Sequence, residues 1–536
     1  MDPKRIIERL DRMKGERSTF DSHWQEVADY LMPSREFTRQ RSPGQKRLMP
    51  WIYNTAPVLA AEQLAGGLHG MLTSPAVRWF ALRPEDRALR EDEAAKRWFD
   101  DTTERMYEAF NAQTGGFAVA AHEAYLDLSA FGTAVIFIGD RGPRGPSFLT
   151  RPLVECYIAE NADGEVDTLY RSYSMAAREV LRLWPKTAPK KVRDAVEKTP
   201  DMPFALVHAV WPGEKDETWE SCYCLRDEPT KLEEGRFREF PYAVARWSKR
   251  SGEVYGNGPG MNALPDVKML NKLEEYTLRG VAKAVLPPVE MPDDGFLSPL
   301  NMQPNGVNIY RKGLGEQDRI RAIDTGARPD VGVDMIQAIE ARIRSVFYVD
   351  WMNLPTRPNM TATEVLQRRD EQLRLLGPMV SRMQAELLSP LIRRSFRILW
   401  ENNLLAAPPE TAGGVPYGVD YLSPIALAQR ATDAAAIMRW VAEVASMQPI
   451  DPKVINEIDA PAVARLLRDR RGVPMSVARS PQAAAEMGAA QDQAAEAAMN
   501  AEAATAAAGI AKQGADAMAT MQGMQQGAAA PAAAVF

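Results

Sequence analysis

Two amphipathic segments of matched length, residues 265–285 and 331–349, flank a stretch at 287–330 that is rich in Pro, Gly and Asn. In the first, Val267, Leu270, Leu273, Thr277, Val281 and Val285 recur at helical spacing, which predicts a helix roughly 30 Å long. In the second, Met335, Ile336, Ile339, Ile343, Val346 and Phe347 do the same. Short alternating runs at 307–311 and 319–323 predict a small β excursion between them. The pattern is an antiparallel stalk with a cap. A helix pair needs one apolar face per helix, yet the first helix also carries Lys268, Lys272, Glu275, Arg279 and Lys283 at spacings of three and four. That row reads either as a solvated surface or as the charged edge of a helix packed against identical copies around a shared lumen.

A chain of 536 residues has room for three or four units at roughly 150 residues each. The 65 Lys and Arg face 71 Asp and Glu, a net charge of -6 and a pI near 5.6. This balance argues against a protein that grips nucleic acid through one large basic surface. Three cysteines, Cys156, Cys222 and Cys224, cannot frame so long a chain with disulfides, and a reducing compartment is expected. Residues 1–12 are charged and lack an apolar signal core, and no apolar run reaches the roughly 18 residues of a membrane span. The expectation is a soluble, intracellularly made protein with no membrane contact.

The first 130 residues read mainly as helix, with one segment through Ile6, Ile7, Leu10 and Met13 and a second at 18–31. Residues 34–50 read as an exposed basic arm, and helices follow at 56–72 and 91–111. Strand signals occupy 133–139, 166–173, 204–211, 218–225 and 237–247, interrupted by a helix at 176–183. This is an α+β unit over 1–255 in a predominantly helical chain. Past the stalk, 350–360 holds Pro355 and Pro358 and reads as a loop, and Thr361-Ala-Thr-Glu364 has the pattern of a capping box. A long helix over 365–405 is expected to bend at Gly377-Pro378 and Ser389-Pro390. Helices at 425–446 and 453–471 come next. Residues 480–536 contain 25 Ala among 57 and no Arg, Trp or Tyr, which predicts a tail either disordered or helical only on assembly.

Enzyme motifs fail one after another. There is no Gly-Lys dipeptide, hence no Walker A loop. Gly256-Asn-Gly-Pro-Gly260 precedes a helix, but its spacing is wrong for phosphate and Pro259 removes an amide, so a turn leading into the helix is the reading. The histidines are His23, His69, His122 and His208. His122-Glu123 starts like a zincin helix, but Leu126 stands where the second ligand belongs. Cys222-Tyr-Cys224 has no second pair to complete a metal site. The acidic pairs Asp100-Asp101, Glu233-Glu234 and Asp293-Asp294 read as solvated charge. No catalytic residue, metal ligand or cofactor is assigned. Residues 250–350 carry 12 basic and 14 acidic side chains, a balance suited to a polyanion that slides past without sticking.

Over residues 1–475 the order of several segments resembles the portal (head-to-tail connector) proteins of short-tailed, podovirus-type bacteriophages. They are Trp24 with Tyr30-Leu-Met-Pro33, Phe131-Gly-Thr-Ala-Val-Ile-Phe-Ile138, Tyr255-Gly-Asn-Gly258 leading into 263–273, and Pro355-Thr-Arg-Pro-Asn-Met-Thr-Ala-Thr-Glu-Val365. The resemblance implies a ring, typically of twelve subunits, at one capsid vertex, through which double-stranded DNA is packaged and ejected. It implies a wing (1–255 with part of 361–405), a stem (256–286 and 331–349), a clip (287–330) and a helical crown (406–475). Residues 476–536 have no family pattern. The tunnel loop would be Asp350, Trp351, Met352, Asn353, Leu354, Pro355, Thr356, Arg357, Pro358, Asn359 and Met360. Lys272, Arg279, Lys283, Arg342, Arg344 and Arg357 are the candidates for guiding DNA. Implied partners are the terminase motor, tail adaptors, and capsid or scaffolding proteins. The place would be the virion, and the host cytoplasm during assembly. The competing readings are a metal-dependent nucleic-acid-processing enzyme and a helical scaffold without a channel.

Overall fold

A computed structural model of the chain describes residues 1–33, 51–86, 89, 92–214, 218–285, 289–290, 321–322, 329–352, 377–409, 417–422, 424–447, 449, 451–471 and 481–526. The basic arm at 34–50, the capping box at 361–364, most of the clip and Asp293-Asp294 lie outside these residues.

Helix α1 (Pro3–Leu31) is continuous where two segments were expected. Gly15 does not break it, because its position faces open space and helical neighbours bury Ile6, Leu10, Met13, Trp24, Val27 and Leu31 on both sides. Helix α2 (Ala56–Leu72) takes Pro57 in its first turn. Strand β1 (Phe80–Pro84), α3 (Glu93–Asn111) and α4 (Phe117–Phe131) complete the N-terminal layer. The apolar faces of α2 and α4 meet through Leu64, Leu68, Leu72, Ala120, Ala124 and Leu128, all buried.

Two antiparallel sheets follow. The first has the order β3-β2-β9, built from β2 (Thr133–Asp140), β3 (Pro146–Arg151) and β9 (Tyr242–Arg246). The second is a meander of β4 (Cys156–Glu160), β5 (Val166–Ala176), β6 (Pro203–Pro212), β7 (Trp219–Leu225) and β8 (Lys231–Phe237). Helices α5 (Ala177–Leu183) and α6 (Lys190–Lys198) lie between β5 and β6. The single strand expected at 237–247 is two strands in different sheets, separated around Pro241, which has no amide for a ladder. Cys222 and Cys224 are free thiols buried beneath Ile6, Leu10 and Met13 of α1.

His208 joins the two sheets. From β6, its Nδ1 lies 2.6 Å from the Tyr242 hydroxyl on β9, and its Nε2 lies 3.0 Å from the Ser221 hydroxyl. Its ring stacks on Tyr223 at 3.9 Å. Burial, with Arg171 and Arg151 nearby, pushes its pKa from 6.5 down to about 3.

Helix α7 (Pro259–Val285) begins six residues earlier than expected, with Pro265 inside it. Two-residue strands β10 (Val289–Glu290) and β11 (Arg321–Ala322) pair antiparallel across the stretch between the stalk helices. Helix α8 (Pro329–Val346) returns along α7, and a short α9 (Val349–Met352) follows Tyr348, whose φ is +57°. The expected loop is therefore helical at Asp350, Trp351 and Met352, because the chain resumes a helical turn after one left-handed residue. Asn353 to Met360 lie outside the described residues.

Residues 377–401 are helical through Pro390, with a π turn at Gln384–Leu388 just before α10 (Ser389–Glu401). The proline ring excludes the carbonyl four residues earlier, and the ladder widens there. Strand β12 (Tyr417–Tyr421) pairs with β1, so the chain returns to the N-terminal layer, with Pro84 opposite Tyr417, 333 residues further along the sequence. Helices α11 (Pro424–Ser446) and α12 (Ala460–Arg471) form a hairpin, with a 3-10 turn at Pro452–Glu457 between them. The tail holds α13 (Pro481–Gln526), a helix, which is one of the two states expected for it. Its alanines favour that state on their own.

Two outcomes follow for chemical denaturation. Gly132→Ala, at φ +73° with an added Cβ 2.2 Å from the Gly258 amide nitrogen, should cost about 2–4 kcal/mol. Gly66→Ala, in open space on α2, should be neutral or stabilising by up to about 1 kcal/mol. For His208 the folded pKa lies below the unfolded one, so its contribution is complete above pH 6.5 and is lost as pH falls toward about 3. His208→Gln should flatten the fall of stability over that window, and an unchanged slope would refute the assignment.

Candidate nucleic-acid interface

The stalk is fixed at its base by a buried polar clasp. Asn271 on α7 donates from Nδ2 to the Val267 carbonyl (3.0 Å), and its Oδ1 accepts from the backbone amides of Tyr53 (2.9 Å) and Asn54 (3.4 Å). Asn54 donates onward to Glu340 Oε1 on α8 at 2.9 Å. Around the clasp, Val267, Leu270, Ile336, Ile339, Ile343 and Phe347 belong to one buried apolar core. Farther out, Gly332 meets Thr277, where an added Cβ would lie 2.4 Å from the threonine hydroxyl. The two helices approach closely there because one of them has no side chain.

The apolar stripe read from the sequence is buried only in part. Val267 and Leu270 are buried and Leu273 half-buried, whereas Val281 is 40% and Val285 71% exposed. Tyr276, Leu278, Val331, Val333 and Met335 are exposed as well. The far half of the stalk thus presents apolar side chains from both helices.

Each cationic candidate can now be placed. On α7, Lys272 (2.9 Å) and Arg279 (2.5 Å) share Glu275 between them. That hydrogen bond raises the Lys272 pKa and lowers that of Glu275. Lys283 lies on the same face, exposed, with no ion pair among the described residues. Arg342 reaches back to Asp266 on α7 (3.2 Å), and Arg344 pairs along α8 with Glu340 (3.6 Å). Two residues apart, these arginines point about 200° from one another around the helix. The structure therefore brings Lys272, Arg279 and Lys283 together and sends Arg342 and Arg344 to different flanks. Arg357 lies outside the described residues. Trp351 and Met352 are placed only as part of α9, and Asp350 is exposed at its start.

Several contributors escaped the sequence reading. Glu26 of α1 pairs with Lys268 at 2.7 Å, and no local pattern links positions so far apart. Asn271 sits on the buried side of α7, where its polarity alone flagged a partner. The acidic pairs are ordinary surface chemistry: Asp100 binds Arg78, Glu233 accepts from Trp184 Nε1, and Glu234 binds Lys231. His69 and His122 have ring centres 6.4 Å apart. Among the described residues no group of three or more His, Cys, Asp and Glu side chains could hold a metal ion, and no helix is long and apolar enough to cross a membrane.

Two phage portal proteins resemble this chain over most of its length. The probable portal protein of Bordetella phage BPP-1 is 31% identical over 498 residues, covering 88% of this chain and 87% of its own. The portal protein of Salmonella phage epsilon15 is 26% identical over 496 residues, covering 88% of each. Among solved structures, a chain from the virion of a native gene transfer agent particle aligns with a TM-score of 0.37 at 10% identity, covering 78% of this chain and 95% of its own. A chain from the neck of an empty GTA particle gives 0.36 at 12%, covering 77% and 94%. The family model described as bacteriophage head to tail connecting protein matches residues 3–478. The chain belongs to that family of head-to-tail connecting proteins.

Proposed function

We propose that copies of this chain close into a ring, of twelve subunits by family analogy, forming the portal channel at one capsid vertex. Double-stranded DNA passes through it during packaging and ejection. The observation that carries this reading is the stalk, whose two helices expose Tyr276, Leu278, Val281, Val285, Val331, Val333 and Met335 beside a row of charges partly paired within the chain. A ring interface is heterologous, so each subunit needs two different complementary faces, and exposed apolar side chains on both helices supply material for them. The paired charges suit a wall that guides phosphates without holding them.

In this reading residues 1–255 with 377–401 form the wing, α7 and α8 the stem, 287–330 the clip and 424–471 the crown. The clip receives the terminase motor during packaging and tail adaptors afterwards, and capsid or scaffolding proteins surround the wing. The chain is a passive conduit, and the translocation energy is the motor's. It resides in the virion after assembly in the host cytoplasm.

Electron microscopy of the purified protein tests the reading. The expected particle is a ring with a central hole of about 20–40 Å, wide enough for a duplex whose major groove spans about 12 Å. A monodisperse monomer with metal-dependent nuclease activity would overturn it. Within rings, Glu275→Gln removes the carboxylate shared by Lys272 and Arg279. Duplex binding should tighten and its dependence on log salt steepen, by up to about 0.9 for each additional phosphate contact. A slope identical to that of the unsubstituted ring would refute the compensating role of Glu275.

A further inference from the structure

The chain has only four histidines, and two of them meet on facing helices. His69 lies in the last turn of α2 and His122 in α4, both half-buried, with ring centres 6.4 Å apart and planes crossing at 73°. The other two are placed differently. His208 uses both ring nitrogens inside the fold, and His23 stands on α1 beside Glu26 and Lys268.

What sets His69 apart is how it is held. Its Nδ1 lies 3.0 Å from the Thr73 hydroxyl, which lies 3.2 Å from the Tyr125 hydroxyl, and Thr73 and Tyr125 are both buried. This relay orients the ring, and when Nδ1 donates along it the lone pair stands on Nε2. A metal-bound imidazole has the same arrangement, its second nitrogen donating to an oriented acceptor. Desolvation, together with the neighbouring His122, lowers the His69 pKa, so the ring is neutral near pH 7, as a ligand must be. Neutral imidazoles suit zinc, nickel or copper, whereas magnesium and calcium call for oxygen ligands.

The spacing is close to what such an ion needs. With metal–nitrogen bonds of about 2.0–2.1 Å and a tetrahedral angle, two ring centres stand about 5 Å apart. The 6.4 Å found here is about 1 Å wider, a difference that half-buried side chains take up by small torsional changes. Among the described residues no third His, Cys, Asp or Glu completes a group of three, so water fills the remaining positions of a bound ion.

We propose that His69 and His122 form a two-imidazole site for one divalent transition-metal ion of the zinc, nickel or copper class, clipping α2 to α4. The clip joins two helices that each touch the stalk, since α2 packs against α8 and α4 against α7. It does not rest on the ring reading.

The test follows thermal melting of the full chain with zinc chloride or nickel chloride, and with magnesium chloride for comparison. Zinc and nickel should raise the melting temperature by about 2–5 °C at saturation. Magnesium should not, and EDTA should reverse the shift. His69→Gln and His122→Gln should each abolish it, while His23→Gln should keep it. Electron paramagnetic resonance of bound Cu2+ gives a second reading, with two imidazole nitrogens expected on the ion in the unsubstituted chain. Half-saturation above about 1 mM would be ordinary surface complexation and would overturn the proposal. So would a shift kept by both glutamine variants, one lost in His23→Gln, one produced equally by magnesium, or a copper spectrum without two nitrogens. Should a glutamine variant not fold, the copper spectrum of the unsubstituted chain decides alone.

Discussion

The architecture depends on two stretches of backbone crossing at contact distance. Gly132 ends α4 in the left-handed region and lies against Asn257 and Gly258, while Gly256, Gly258 and Gly260 lie against Gly132, Leu128 and Ala130. At each of these four glycines an added Cβ would fall under 3 Å from a backbone atom, so any other residue must force the segments apart. The crossing is stitched by Trp247 N donating to the Gly132 carbonyl (2.9 Å), Gly256 N to Thr133 Oγ1 (2.8 Å) and Asn257 N to the Ser248 carbonyl (2.7 Å). Helix α7 leaves from this point. The direction of the stalk relative to the helical layer and the sheets is therefore set by backbone atoms, with no flexible side chain between them. The tyrosine just before the glycines adds a second tie, since Tyr255 packs on Phe20 and Trp24 of α1 and its hydroxyl accepts from the Ile158 amide at 3.2 Å.

Buried charge holds the later chain to this frame. Glu386 stands in the π turn and gives both oxygens to Arg246 at the end of β9, with Arg382 sharing one of them at 3.1 Å. The widened turn has a physical role on its apolar side as well. Met379, Val380 and Met383 before it and Leu387, Leu388, Leu391 and Ile392 in and after it are all buried. One register shift keeps both sets facing the core across a proline that would otherwise break the helix. Breaking such a pair by removing one partner typically costs about 3–5 kcal/mol, so the π turn is tied firmly to the end of β9.

How much of this was readable in advance follows from the range of each interaction. Helices α2, α3, α7, α8 and α11 and strands β2, β5, β6 and β7 announced themselves through periodicity, because their burial pattern is local. What failed was non-local. The pairing of Phe80–Pro84 with Tyr417–Tyr421 leaves no trace at either end, and the split around Pro241 needed knowledge that two sheets compete for neighbouring residues. The glycine motif was visible but its purpose was not: a turn leading into the helix was expected, whereas close packing of two backbones is what excludes every side chain there. The cationic candidates were half legible. Spacings of three and four put Lys272, Arg279 and Lys283 on one face, but the same logic applied to Arg342 and Arg344 would have separated them. The partners Glu26 and Asp266 come from other turns or other helices and could not be read from the row itself.

The charge balance of the stalk row is best understood by asking what its ion pairs contribute. Exposed pairs of this kind are worth about 0–1 kcal/mol, too little to matter beside a buried interface of isoleucines. Lys272, Glu275 and Arg279 are therefore not there to hold the helices together. What they change is the field outside the helix, and that field is set by position more than by overall composition. Along the row Lys268, Lys272, Arg279 and Lys283 meet the carboxylates of Glu26 and Glu275, four cations against two, so a modest positive residue survives on a chain whose total is -6. In the proposed ring, each further phosphate neutralised would add salt-dependent affinity, so a row without carboxylates would attract a duplex more strongly. Carboxylates inside the row lower that attraction without abolishing it. The overall acidity then says little about whether this chain touches DNA, while the pairing along one helix face limits how firmly it can do so.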